Sequence, residues 1–173
     1  MSEKIQVKVF AKHSVNAVDY APVFQRWIRE HALDELLIDV VDYSHVFEGP
    51  EVALIGHESD YVLDNRGGRL GLLYADKRAS AENGNPFRAA LGRASRACQL
   101  LESEKDVPPI TFDPRELEIR INDRLNAPNT DDTFRRVEPL IREALTQAFG
   151  SPNIALERAG SPRDLFTVSA RVQ

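Results

Sequence analysis

The side chains in this sequence best suited to chemistry gather between positions 39 and 64: Asp39, Asp42, His45, His57, Glu58, Asp60 and Asp64. Imidazole and carboxylate together can transfer protons near neutral pH or hold a divalent metal. Asp39 lies within the apolar run Leu36–Tyr43, where an ionised carboxylate needs a partner. His57 shares a strand face with Ala53 and Ile55 on the segment expected to lie alongside. If Asp39 and His57 meet across that ladder, Asp39, His57 and Glu58 form a catalytic set, and His45, His57 and Asp60 a metal set. The spacing argues against both. His45 and His57 stand twelve residues apart, and His57-Glu58-Ser59-Asp60 lacks the second histidine of a zincin. Adjacent strand residues also face opposite ways, so the preferred reading is a carboxylate–histidine pair that fixes sheet register. No cofactor is implied.

A second group is basic. Arg66, Arg69, Arg88, Arg93 and Arg96, with Lys77 and Arg78 between them, follow the acidic segment directly. Guanidinium forks suit carboxylate or phosphate, which makes these five arginines candidates for anion or partner binding. Gly67-Gly68 lies among them but does not reproduce a phosphate loop. The remaining signals read as structural. Cys98 and Trp27 fall on apolar helical stripes, His31 closes a helix, and His13 lies in a loop. No nucleophile elbow, dinucleotide fingerprint or RNA-binding aromatic motif is present.

The elements that must position these residues follow from periodicity. Strands are predicted over Ile5–Lys12, Leu36–Tyr43, Val52 to about Leu63, Leu70–Tyr74 and Leu117–Ile121, with a closing hairpin from Ile154 and Phe166. Leu36–Tyr43, apolar throughout, reads as a central strand covered on both faces. Three amphipathic helices are predicted: Asp19, as cap, to about Ala32; Pro86 to Leu101; and about Asp132 to Phe149, with Pro139 a blemish. A polar loop spans Ala79–Asn85. The order strand, helix, strand, strand begins near Ile5 and again near Leu117, suggesting a pseudo-duplication. The expectation is a single α+β domain over residues 1–173, with about seven strands in an antiparallel-rich or mixed sheet. Its halves, 1–103 and 116–173, are joined by a proline-containing connector, 104–115.

Composition bounds the function. The chain has 173 residues, 42% hydrophobic and 28% charged, enough for a real core. One cysteine excludes an internal disulfide framework. Met1–Val9 has no apolar signal core, and no run is long enough for a bilayer, so a cytoplasmic location is expected. Net charge is −5, spread as −7 over residues 1–65, +4 over 66–105 and −2 beyond. Such a balance disfavours nucleic acid. The partner expected is the chain itself or another protein, through a non-enzymatic interaction or homo-oligomeric assembly. A metal-dependent or His–carboxylate enzyme for hydrolysis or proton transfer, built on Asp39, His45, His57, Glu58 and Asp60, is the alternative.

Overall fold

A computed structural model describes residues 4–78 and 84–173. Its strands are β1 (Ile5–Ala11), β2 (Leu37–Asp42), β3 (Val52–Gly56), β4 (Ser59–Asp64), β5 (Gly71–Asp76), β6 (Phe112–Ile121), β7 (Ile154–Ala159) and β8 (Phe166–Val172). Its helices are α1 (Ala21–Glu30), α2 (Pro86–Glu102) and α3 (Asp131–Phe149). The eight strands form one antiparallel sheet in the order β2-β3-β4-β5-β1-β6-β8-β7. The class is α+β, as the alternation and helical stripes predict.

One sheet face carries the main core. Ile5, Val7 and Val9 of β1 point into it with Leu54, Leu63, Leu72, Ile119 and Val168, and the helices close it with Trp27, Phe87, Ala94 and Ile141. Small residues Ala90, Ala94 and Ala97 let α2 lie close over β1 and β5. The other face bears no helix. It holds a small apolar group, Ala53, Val62 and Leu73, flanked by Tyr43 and Ile55.

In each half the last strand returns to pair with the first: β5 with β1, and β8 with β6. The two opening strands, β1 and β6, pair with each other near the sheet centre. Between the halves, Glu104 accepts from Arg26 and, at 2.9 Å, from Trp27 Nε1, while the Tyr20 hydroxyl donates to the Pro108 carbonyl. The connector is therefore pinned to the first half.

Several elements differ from the sequence expectation. The apolar run at Leu36–Tyr43 is an edge strand, β2, with Leu36 and Ile38 exposed. The register against β3 slips between Leu37 and Asp39, so one residue too many breaks the alternation and leaves apolar residues facing two ways. The stretch Val52–Leu63 is two strands, turned at His57-Glu58. Asp19 sits within a short 3₁₀ turn, Ala17–Tyr20, and makes no cap for α1, which starts with Pro22 in its first turn. Pro139 lies on the exposed side inside α3 without ending it. Pro114 lies within β6, in the stretch where pairing with β1 shifts. The expected loop Ala79–Asn85 falls largely outside the described residues.

Candidate functional site

Between the loop after α1 and the first half of α2 runs a groove of about 710 Å³. One wall is Leu33, Asp34 and Glu35; the other is Asn85, Arg88, Gly92, Arg93 and Arg96; Tyr61 contributes from β4. The volume falls in the range of small-molecule sites, roughly 300–1,000 Å³.

Two carboxylates organise the polar side chains beside it. Glu35 Oε1 accepts the backbone N–H of Glu58 at 3.2 Å and of Ser59 at 3.1 Å. Its other oxygen accepts the Tyr61 hydroxyl at 2.9 Å and the Ser59 hydroxyl. Glycine at position 56 makes this arrangement possible, because a Cβ there would collide with the Glu35 carboxylate. Farther in, the Tyr74 hydroxyl donates to Asp76 at 2.5 Å and accepts from Arg93 at 3.1 Å. Arg93 also pairs with Asp76 at 3.8 Å and Glu58 at 3.9 Å. The Tyr61 and Tyr74 rings meet edge to face, centroids 5.4 Å apart.

The electrostatics suit a rigid scaffold rather than a proton shuttle. Burial, assisted by Glu35, pushes the Tyr61 hydroxyl far above its ordinary value. Burial and the bond to Asp76 push Tyr74 up to about 12. Both phenols therefore stay protonated donors at neutral pH. Burial also raises the Asp76 carboxyl, opposed by Tyr74 and Arg93, while the bond to Tyr74 helps hold Arg93 charged.

The side chains singled out from sequence are distributed elsewhere. Asp39 stands opposite Ile55, not His57, and its carboxylate accepts the N–H of the next residue, Val40, at 2.8 Å. His57 is exposed in the β3–β4 turn, its backbone N–H donating to Leu36. Glu58 shares that turn, His45 lies in the turn after β2, and Asp60 pairs with Lys77 at 2.7 Å on the helix-free face. Asp42 is held below the usual carboxylate range by its hydrogen bonds from Ser44. Among the described residues, no three His, Cys, Asp or Glu side chains form a group able to hold a metal.

The arginines divide between the two sides of the sheet. Arg88, Arg93 and Arg96 line the groove on α2. Arg66 and Arg69 lie on the helix-free side, at a second groove of about 680 Å³. There Arg66 pairs with Asp64 at 2.6 Å, and Arg69 pairs with Glu116 at 2.8 Å while stacking 4.1 Å from the Phe10 ring centroid. Beneath them Lys8, only 1% exposed, reaches Asp64 at 3.2 Å. Sequence reasoning missed Lys8, Glu35, Ser59, Tyr61, Tyr74 and Asp76. The one available signal was alternation: Ser59, Tyr61 and Tyr74 occupy core-facing positions while carrying hydroxyls that must be satisfied.

The exposed apolar side chains are also localised. Of the six large ones exposed among the described residues, Leu36, Ile38, Val46 and Phe47 belong to β2 and its flanks, leaving Leu125 and Leu140 elsewhere. Phe47 is 90% exposed. No known family model matches the chain, and no curated protein is significantly similar to it.

Proposed function

We propose that this protein is a non-enzymatic interaction module that docks another protein along its β2 edge. The carrying observation is the concentration of exposed Leu36, Ile38, Val46 and Phe47 on one strand and the turn that follows it. Exposed apolar groups in one place mark a surface that another molecule covers. Side chains, rather than strand addition, dominate the contact, because Asp39 already occupies the N–H of Val40 that an added strand would use.

Charge selects the partner. Asp34, Asp39, Asp42, Glu48 and Glu51 surround the apolar residues. Two copies meeting through this surface would oppose like charges, so a partner with apolar and basic side chains fits better than a second copy. The enzymatic alternative, built on Asp39, His45, His57, Glu58 and Asp60, gains no support from a set whose carboxylates are engaged separately.

The test compares wild type with the double variant Ile38→Asp/Phe47→Asp, which should unfold at nearly the same temperature. Quantitative affinity purification is expected to recover a partner with wild type and to lose it with the variant. Identical recoveries from both proteins would remove this reading. A concentration-dependent dimer by light scattering, abolished in the variant, would replace the partner with a second copy.

A further inference from the structure

One residue of the α2 groove has no role in the packing of the protein. Gly92 lies in the middle of α2, exposed, and a Cβ added there would meet nothing within 4 Å. Glycine inside a helix is unfavourable relative to alanine, and here no neighbouring atom requires it. Gly56 differs, since Glu35 fills its space. What Gly92 does provide is a bare stretch of helix surface, where a ligand can approach the backbone closely.

The charges around it specify the ligand. Arg88 and Arg96 stand one turn before and one turn after Gly92, both exposed and both lining the groove. Among the described residues neither has an ion-pair partner, whereas Arg93 between them is tied to Tyr74, Asp76 and Glu58. Cα–Cβ bonds of a helix tilt toward its N-terminus, which puts the surface at Gly92 within reach of Arg96, and Asn85 with the positive end of α2 within reach of Arg88. The facing wall is acidic, with Asp34 exposed and Glu35 committed to its four hydrogen bonds. A polyanion would be repelled from that wall.

We infer that the saddle at Gly92 binds a small molecule bearing one oxyanion, phosphate or carboxylate, on an otherwise neutral or cationic body. Arg96 is its main fork and Arg88 the second contact. This site lies on the α2 side of the 33–35 segment and shares Asp34 with the acidic surround of the β2 docking edge.

The experiment titrates the full ¹⁵N-labelled chain with phenyl phosphate, benzoate and, at matched ionic strength, sodium chloride. Saturable shifts confined to residues 33–35 and 84–96 are expected with at least one of the two organic anions and not with chloride, with Kd in the millimolar range or tighter. The responding probe identifies the anion. Arg96→Gln should weaken binding about tenfold or more, as loss of a charge-assisted bond does. Gly92→Leu should abolish binding while leaving the unfolding temperature unchanged or higher, since leucine is the better helix former. Absence of saturation with both probes, or undiminished binding in Gly92→Leu, overturns the inference.

Discussion

Two carboxylates on this sheet are displaced in opposite directions from their ordinary pKa, and the difference follows from what surrounds each one. Burial holds Asp76 above the ordinary range. The folded state therefore keeps that proton to higher pH than the unfolded chain does. Asp76's contribution to stability is full below about pH 4 and is lost as pH rises through its raised value. Glu116 is held low by its hydrogen bond from Arg69, with Arg171 at 3.2 Å adding to the effect. Its contribution is present above about pH 4.3 and is lost as pH falls through its depressed value. Urea midpoints measured across acid pH should show wild type losing ground to Asp76→Asn as pH rises, and losing ground to Glu116→Gln as pH falls. A wild-type advantage over Asp76→Asn that grows with pH would contradict the burial argument. Gly92 supplies a simpler test. Gly92→Ala, with open space for its Cβ, should stabilise by roughly 0.5–1 kcal/mol in the same urea assay. No gain would mean that the helix is strained there in some other way.

At the scale of elements, the tightest device is Lys8. Its side chain crosses Gly71 of β5 to reach Asp64 of β4, and a Cβ on Gly71 would lie 2.6 Å from the Val9 carbonyl oxygen and 2.9 Å from Lys8 Cε. Burial lowers the Lys8 pKa, while Asp64 opposes the shift. Lys8→Met should cost about 1–3 kcal/mol, because it leaves the buried Asp64 carboxylate with the half-exposed Arg66 as its one remaining cation among the described residues. The double variant Lys8→Met/Asp64→Leu should recover most of that loss by the same argument. If the double variant is no more stable than the single one, packing rather than the half-compensated Asp64 charge sets the cost. Gly71→Ala should destabilise by about 1–3 kcal/mol, opposite in sign to Gly92→Ala. This device also marks what the sequence could and could not reveal. The alternation Ile5-Val7-Val9 identifies β1 and puts Lys8 on the other face, but period two assigns faces and not neighbours. That Arg66 and Arg69 lie over that face is a tertiary fact. The helical stripes of α1, α2 and α3 were legible because many residues repeat the same signal. β2 was misplaced as central because one inserted residue at Ile38 erased the alternation that marks a half-exposed strand. The groove was illegible for a different reason. Glu35, the pair Ser59 and Tyr61, Asp76 and Arg93 come from four separate segments, and no local spacing links one segment to the next.

Across the whole molecule, the halves share their centre. β1 and β6 are neighbours in the sheet, with Val7 opposite Ile119, both fully buried. Each half closes on its own opening strand, and the first half inserts two more strands before it does so. Neither half would keep its core dry without the other, since separation would bare β1 and β6 along their paired edges and uncover α2 where it meets α3. Unfolding should therefore be one cooperative event. Trp27, the sole tryptophan, belongs to the first half and reports on it by fluorescence. Ile141 lies in α3 of the second half, completely buried. Ile141→Ala should destabilise by about 2–5 kcal/mol through the cavity it leaves. If the halves are one folding unit, the Trp27 transition in urea shifts by the same amount as the circular dichroism of the entire chain. A Trp27 midpoint that stays at its wild-type value while the dichroism splits into two steps would show instead that the first half stands alone, and that the β1–β6 ladder joins two domains rather than building one.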